Sequence, residues 1–199
     1  MPILRYSPAS PYARKVRIVA EILGFGKDVE LVGADPSDPA DTVREQNPLG
    51  KIPILVFANG DTLYDSRVIA EYFDVLAGGG KLFPSDSASR FEALKQQALG
   101  DGINDAALLI RYESVVRPEH LRHPEASALQ AGKVERGLAQ LDRQPPSGAV
   151  TIGHIAVASA LGYQDLRFGG AWRAKYPNLV AWLDDFAKKV PAYEATHVA

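Results

Sequence analysis

A chain of 199 residues with 23% charged residues and a formal net charge of -2 is long enough for one sizeable domain or two small ones, and it carries no electrostatic bias toward nucleic acid or an anionic membrane. It contains no cysteine, which excludes disulfides, thiolate metal sites and any route through a protein-derived mixed disulfide or thioester, so sulfur chemistry must use a ligand's thiol. No segment reaches about 18 uninterrupted apolar residues, and the first residues lack a basic stretch followed by an apolar one, so a soluble, cytoplasmic protein is expected. The four histidines form no metal motif, and His120 and His123, beside Pro118 and Pro124, read as exposed loop residues.

In chain order, Ile3 to Tyr6 reads as a short apolar strand. Pro11 to Leu23 follows as a helix with Ala13, Val16, Val19, Ala20 and Leu23 on one face, capped by Ser10 and stopped by Gly24. Val29 to Val32 is a second strand, joined by a polar connection from Ala34 to about Gln46 to the runs IPILVFA and TLYD. Asn59-Gly60-Asp61 between those runs predicts a β-hairpin, because Asn-Gly tolerates positive φ at both turn positions. The next helix carries Val68, Ile69, Tyr72, Phe73 and Leu76 at helical spacing, with Ser66 as its predicted N-cap. Three glycines, a proline and several serines then mark a linker. Beyond it the strand signals vanish: a long helix runs from Phe91 to Val116 despite two glycines, and others cover Glu125 to Asp142, the apolar run from Thr151 to Phe168, and Asn178 to Lys189. The expected organisation is an α/β unit over residues 1–77, a linker over 78–88 and an all-helical unit over 89–199.

Three features of the first unit suit one ligand. Pro53 stands at the entrance to a strand, where it cannot donate to a ladder, and a cis Ile52-Pro53 bond would turn the backbone of Ile52 outward to pair with an extended peptide. Ser66 at a helix N-terminus offers a hydroxyl and free amides to a carboxylate, and Asp65 beside it can pair with an ammonium, although an Asp-Ser pair also serves simply as a cap. Ser10 begins the first helix, where the dipole favours an anion.

The segments SPASPYARKVR, NPLGKIPIL, LYDSRVIAEYF, IAVASALGYQDLRF and YPNLVAWLDDF, in this order and spacing, resemble the glutathione transferase family, and its bacterial Ser-type members related to the zeta, omega and beta classes. The resemblance implies a thioredoxin-like N-terminal domain with a mixed sheet, followed by a helical-bundle domain. It implies glutathione as co-substrate, a small hydrophobic electrophile as second substrate, and a homodimer. Carried over by position, Ser10 matches the catalytic residue, Ile52 the residue whose backbone meets the cysteinyl part of glutathione, Pro53 the cis-proline, and Asp65 and Ser66 the pair holding the γ-glutamyl group. Lys51 lies where a cation meets the glycyl carboxylate, and Tyr12, Ala106, Leu109 and Tyr112 are candidates for the electrophile pocket.

On this reading Ser10 stabilises the thiolate of glutathione, which is itself the nucleophile. Tyr6, at the end of the first strand, is the rival, and Arg14 either reinforces the field around Ser10 or is a solvated helix residue. Asp101 and Asp105, four apart on the long helix, read as a solvated face; the resemblance adds reach toward glutathione in a partner subunit. Where the family places an acidic residue three positions after a Thr or Ser cap, this chain has His154 after Thr151. The alternative from another class is a non-catalytic binding or regulatory protein of the same fold, resembling the stringent starvation proteins, or a glutathione carrier.

Overall fold

A computed structural model describes residues 1–198; residue 199, the end of the expected helical unit, lies outside the described residues. The first half contains strands β1 (Ile3–Tyr6), β2 (Glu30–Gly33), β3 (Ile54–Val56) and β4 (Thr62–Leu63) with helices α1 (Pro11–Ile22), α2 (Val43–Gln46) and α3 (Ser66–Leu76). The sheet order is β2-β1-β3-β4, with β1 parallel to β2 and antiparallel to β3, and β3 antiparallel to β4. Leu4 sits at the centre, opposite Leu31 on one side and Leu55 on the other. The second half is helical: α4 (Ser87–Val115), α5 (Pro124–Arg143), α6 (Ile152–Phe168), α7 (Pro177–Lys189) and α8 (Pro191–Ala195). This is a mixed-sheet, thioredoxin-like unit followed by a helical one.

Local sequence explains most element boundaries, with instructive exceptions. Asp65, not Ser66, is the N-cap of α3: its Oδ1 accepts the Arg67 amide at 2.9 Å, and Ser66 becomes the first helical residue. The polar connection from Ala34 contains α2, held against β1 by Arg5, which donates to Asp41 at 2.7 Å and Gln46 at 3.1 Å. His123, exposed before the helix as expected, also caps α5, its Nδ1 accepting the Ala126 amide at 3.1 Å. The glycine-rich stretch read as a linker is pinned. Leu82 and Phe83 are buried in the core, and buried Asp74 accepts the amides of Lys81 and Leu82 at 3.1 and 2.6 Å.

One hydrophobic core therefore runs through both halves, from Leu4 and Val16 through Phe73 and Leu82 to Ile155 and Leu161. α6 is buried along nearly its whole length and packs on α4 and α1. Gly100 makes the α4–α6 approach possible, since a Cβ there would lie 2.7 Å from the Ala156 carbonyl carbon. At the head of α6, Thr151 donates its amide to His154 Nδ1 at 3.3 Å, and the Thr151 hydroxyl lies 3.0 Å from the same nitrogen. The imidazole thus performs the acidic residue's part in a capping box, provided it is neutral. Burial, and then the Lys189 charge, push the His154 pKa down and keep it so.

The two halves are also tied by charge. Lys15 of α1 donates to both oxygens of Asp101 of α4 at 2.7 and 2.8 Å, with the two side chains only 1% and 2% exposed. Arg67 of α3 adds its Nε to Asp101 at 3.1 Å. Burial pushes the Lys15 ammonium down from its ordinary range, opposed by Asp101. Asp101 is therefore no part of a solvated face.

Asp101→Ala, which leaves a buried ammonium without its partner, is expected to cost about 3–5 kcal/mol in denaturant unfolding, and less when Lys15→Met accompanies it. The His154 shift sets a pH dependence of stability. The folded state resists protonation, so stability is complete above the ordinary His pKa of about 6.5 and falls as pH drops through the range between that value and the lower folded-state pKa. Thermal melts between pH 7.5 and 5 are expected to show this fall in the wild type and a shallower one in His154→Gln.

Candidate active site

The loop after β1, the starts of α1 and α3, the entry to β3 and residues of α4 and α6 enclose a cleft of about 700 Å3. Its floor on one side is Ser7 and Ala9 to Tyr12, with Gly50 to Pro53 and Asp65 to Arg67 completing that wall. The backbone explains the convergence. The Ile52-Pro53 peptide is cis, as is Tyr64-Asp65, and both segments open onto the cleft. Buried Asn47 holds the loop that leads into the first of them, donating to the Lys51 carbonyl at 2.9 Å and accepting the Leu49 amide at 3.0 Å.

Ser10 is the N-cap of α1, and its Oγ accepts the Ala13 amide at 3.2 Å. Accepting with a lone pair leaves the hydroxyl proton free to be donated into the cleft. The capping role and a donor role are therefore compatible, and the first-turn amides of α1 add a positive potential there. Next to it, the Tyr12 hydroxyl donates to Asp105 Oδ1. Burial first, and then that bond, push the Tyr12 pKa far up, so the phenol stays protonated. The Lys15–Asp101–Arg67 cluster lies behind the same wall. Among the described residues no group of His, Asp and Glu gathers to hold a metal ion, and no helix is long and apolar enough to cross a membrane.

Residues 9–76 match the family model for the glutathione S-transferase N-terminal domain, and residues 124–185 match that for the C-terminal domain. The chain is 31% identical over 185 residues to the uncharacterized GST-like protein YibF of Escherichia coli (strain K12), with 90% of each chain covered. The chain belongs to the glutathione transferase family. Among solved structures, a glutathione S-transferase from Methylobacillus flagellatus KT with glutathione bound is similar at a TM-score of 0.92 and 36% identity, covering 100% of both chains. A family member from Pseudomonas fluorescens Pf-5, also with bound glutathione, has a TM-score of 0.93 at 36% identity and the same coverage.

Within this transferase fold, Ser10, Tyr12, Lys51, Ile52, Pro53, Asp65, Ser66, Leu109 and Tyr112 all line the one cleft. Ala106 does not. It is 2% exposed and packs in the core, because α4 turns that face toward α6 rather than toward the opening. Tyr6 is also outside the cleft lining; its ring packs against the core under Arg17, whose guanidinium lies 5.4 Å from the ring centroid. Arg14 is neither solvated nor free. It donates to the Tyr193 carbonyl at 2.8 Å and stacks 4.1 Å over the Tyr193 ring, anchoring α8 to α1. Asp105 has its reach used by Tyr12 within the same chain.

Other residues of the cleft and its supporting loop differ in how far the sequence signals them. Asn47 lay in view within NPLGKIPIL, and a polar side chain fixing such a loop is an Asx pattern. Arg111 stands three residues beyond Leu108 on α4, so helical spacing from one wall residue reaches it. Tyr163 and Arg167 carry no such signal, since only the packing of α6 on α4 brings them to the opening.

Proposed function

We propose that this chain is a glutathione-dependent transferase in which Ser10 stabilises the thiolate of bound glutathione for attack on an electrophilic carbon. The observation that carries the reading is the convergence in one cleft of a free serine hydroxyl proton, the Ile52–cis-Pro53 backbone and the start of α3. The glutathione held by the Methylobacillus flagellatus and Pseudomonas fluorescens relatives, at 36% identity over the whole chain, supports the ligand. In this reading the γ-glutamyl carboxylate meets the Ser66 hydroxyl and the first amides of α3, and its ammonium meets exposed Asp65. The cysteinyl backbone pairs with Ile52, and Lys51 faces the glycyl carboxylate.

The chemistry required is modest. A free thiol has a pKa of about 8.5, so only a few per cent is thiolate at neutral pH, and each unit of depression is about 1.4 kcal/mol. A charge-assisted hydrogen bond from Ser10 together with the α1 dipole is of the size to supply one or two units. The thiol proton leaves to water, the sulfur forms the new S–C bond, and a leaving group departs with its electron pair. Ser10 forms no covalent intermediate. His197 shares a smaller neighbouring pocket with Ser10 and Asp165, and Asp165 is engaged by Trp172 and Arg173 rather than by an imidazole.

The proposal includes a homodimer. Val68, Glu71 and Val75 share the outer face of α3, and the Glu71–Arg90 ion pair sets that face against the first turn of α4, where Phe91 is 70% exposed. An apolar surface fastened by an ion pair in this way suits a second copy of the chain.

Calorimetric titration with glutathione, followed by ultraviolet thiolate absorbance against pH, tests the chemical reading. The wild type is expected to bind and to ionise the bound thiol one to two units below its free value, a roughly tenfold to hundredfold larger ionisation constant. Ser10→Ala is expected to bind but lose that shift; binding with no shift in either protein would leave a carrier, and no binding would sink the transferase reading. For the assembly, light scattering is expected to give twice the chain mass for the wild type and the chain mass for Phe91→Glu/Val75→Glu.

A further inference from the structure

The wall of the cleft opposite the Ile52 and Ser66 side is not purely apolar. Leu108, Arg111, Tyr112 and Val115 stand at i, i+3, i+4 and i+7 on α4, and Arg167 joins them from the last turn of α6. Both arginines are half-buried. The acidic residues nearest to them in sequence are engaged elsewhere: Asp105 by the Tyr12 hydroxyl, Glu113 by Arg117 and the His123 amide, Asp165 by Trp172 and Arg173. Arg167 Nε is buried with no hydrogen-bond partner among the described residues. Tyr163 lines the same cleft as both arginines, one turn before Arg167 on α6. Burial pushes its hydroxyl pKa up, opposed by the charges of Arg167 and Arg111 and by a hydrogen bond from Arg167.

Among the described residues neither guanidinium forms an ion pair, and holding both partly out of water is a cost to the empty cleft. A planar anion docked between them removes that cost, and a guanidinium's forked donors match a carboxylate in two parallel hydrogen bonds. We propose that the electrophilic substrate carries a carboxylate, received by Arg111 and Arg167, while Leu108, Tyr112 and Val115 cover its carbon skeleton. The inference rests on the glutathione reading above and replaces a simply hydrophobic second substrate with an amphipathic one.

Binding of thioether products tests this without needing turnover. The probes are S-(ω-carboxyalkyl)glutathiones with one, two and three methylenes and their primary amides, which keep the shape and remove the charge. The wild type is expected to bind at least one acid about tenfold more tightly than its amide, a difference of 1.4 kcal/mol. Arg111→Gln/Arg167→Gln is expected to bring acid and amide within about twofold of each other while glutathione itself binds both proteins alike. The inference is overturned if the wild type prefers no acid at any length, if the preference survives in the double variant, or if the double variant loses glutathione equally. Failure of glutathione to bind the wild type overturns the transferase reading instead, and this inference with it. Thermal melts of the double variant within a few degrees of wild type confirm that folding is not what changed.

Discussion

The arrangement depends on the buried contact of Lys15 with Asp101, with Arg67 at its edge. Those three residues belong to α1, α4 and α3, which carry Ser10, the wall with Arg111 and the Asp65–Ser66 turn. Apolar packing alone tolerates small slips of one helix over another, whereas an ammonium and a carboxylate removed from water must keep both hydrogen bonds to offset their desolvation. The pair therefore fixes how the helical half sits on the sheet, and so the width of the cleft between them. Its stability contribution is secondary to that placement.

Close packing of α4 on α6 is the second constraint. Gly100 and Gly153 leave room where a side chain would collide with the Ala156 backbone or the Ala93 carbonyl. The long helix thus carries a glycine for a packing reason, despite the helix propensity it gives up. Gly102, two residues on, faces open space, and nothing in the structure explains it. The same α4–α6 approach places Arg111 and Arg167 in one cleft. Arg14, in turn, binds the Tyr193 carbonyl and ring and closes α8 over the back of α1, so this cation anchors structure rather than facing the cleft.

His154 shows how a position can depart from a pattern and keep its purpose. The cap at the head of α6 needs an acceptor for the Thr151 amide, and a neutral imidazole supplies one as a carboxylate does. Burial beside Trp182 keeps the ring uncharged. The substitution exchanges a charge that complements the helix dipole for aromatic packing, and makes the cap sensitive to acid.

Much of this molecule is legible in the chain itself. The βα and hairpin order followed from periodicity and Asn59-Gly60, the helical half from the loss of strand signals, and one wall of the cleft from short motifs whose members stand within a turn of one another: Ser10, Lys51 to Pro53, Asp65 and Ser66. Such local groupings are fixed by backbone geometry over a few residues, which is what sequence records. Tertiary packing decided the rest. It moved Ala106 into the core and left Leu109 at the opening, because rotation of α4 against α6 is set by Gly100 and the Lys15–Asp101 pair. It withdrew Asp101 from solvent, pinned the glycine-rich stretch through Leu82 and Phe83, and brought Arg111 and Arg167, 56 positions apart in the chain, to one cleft. No local rule relates residues so distant; only the summed packing of helices that each satisfy their own local preferences brings them to one face of a cleft.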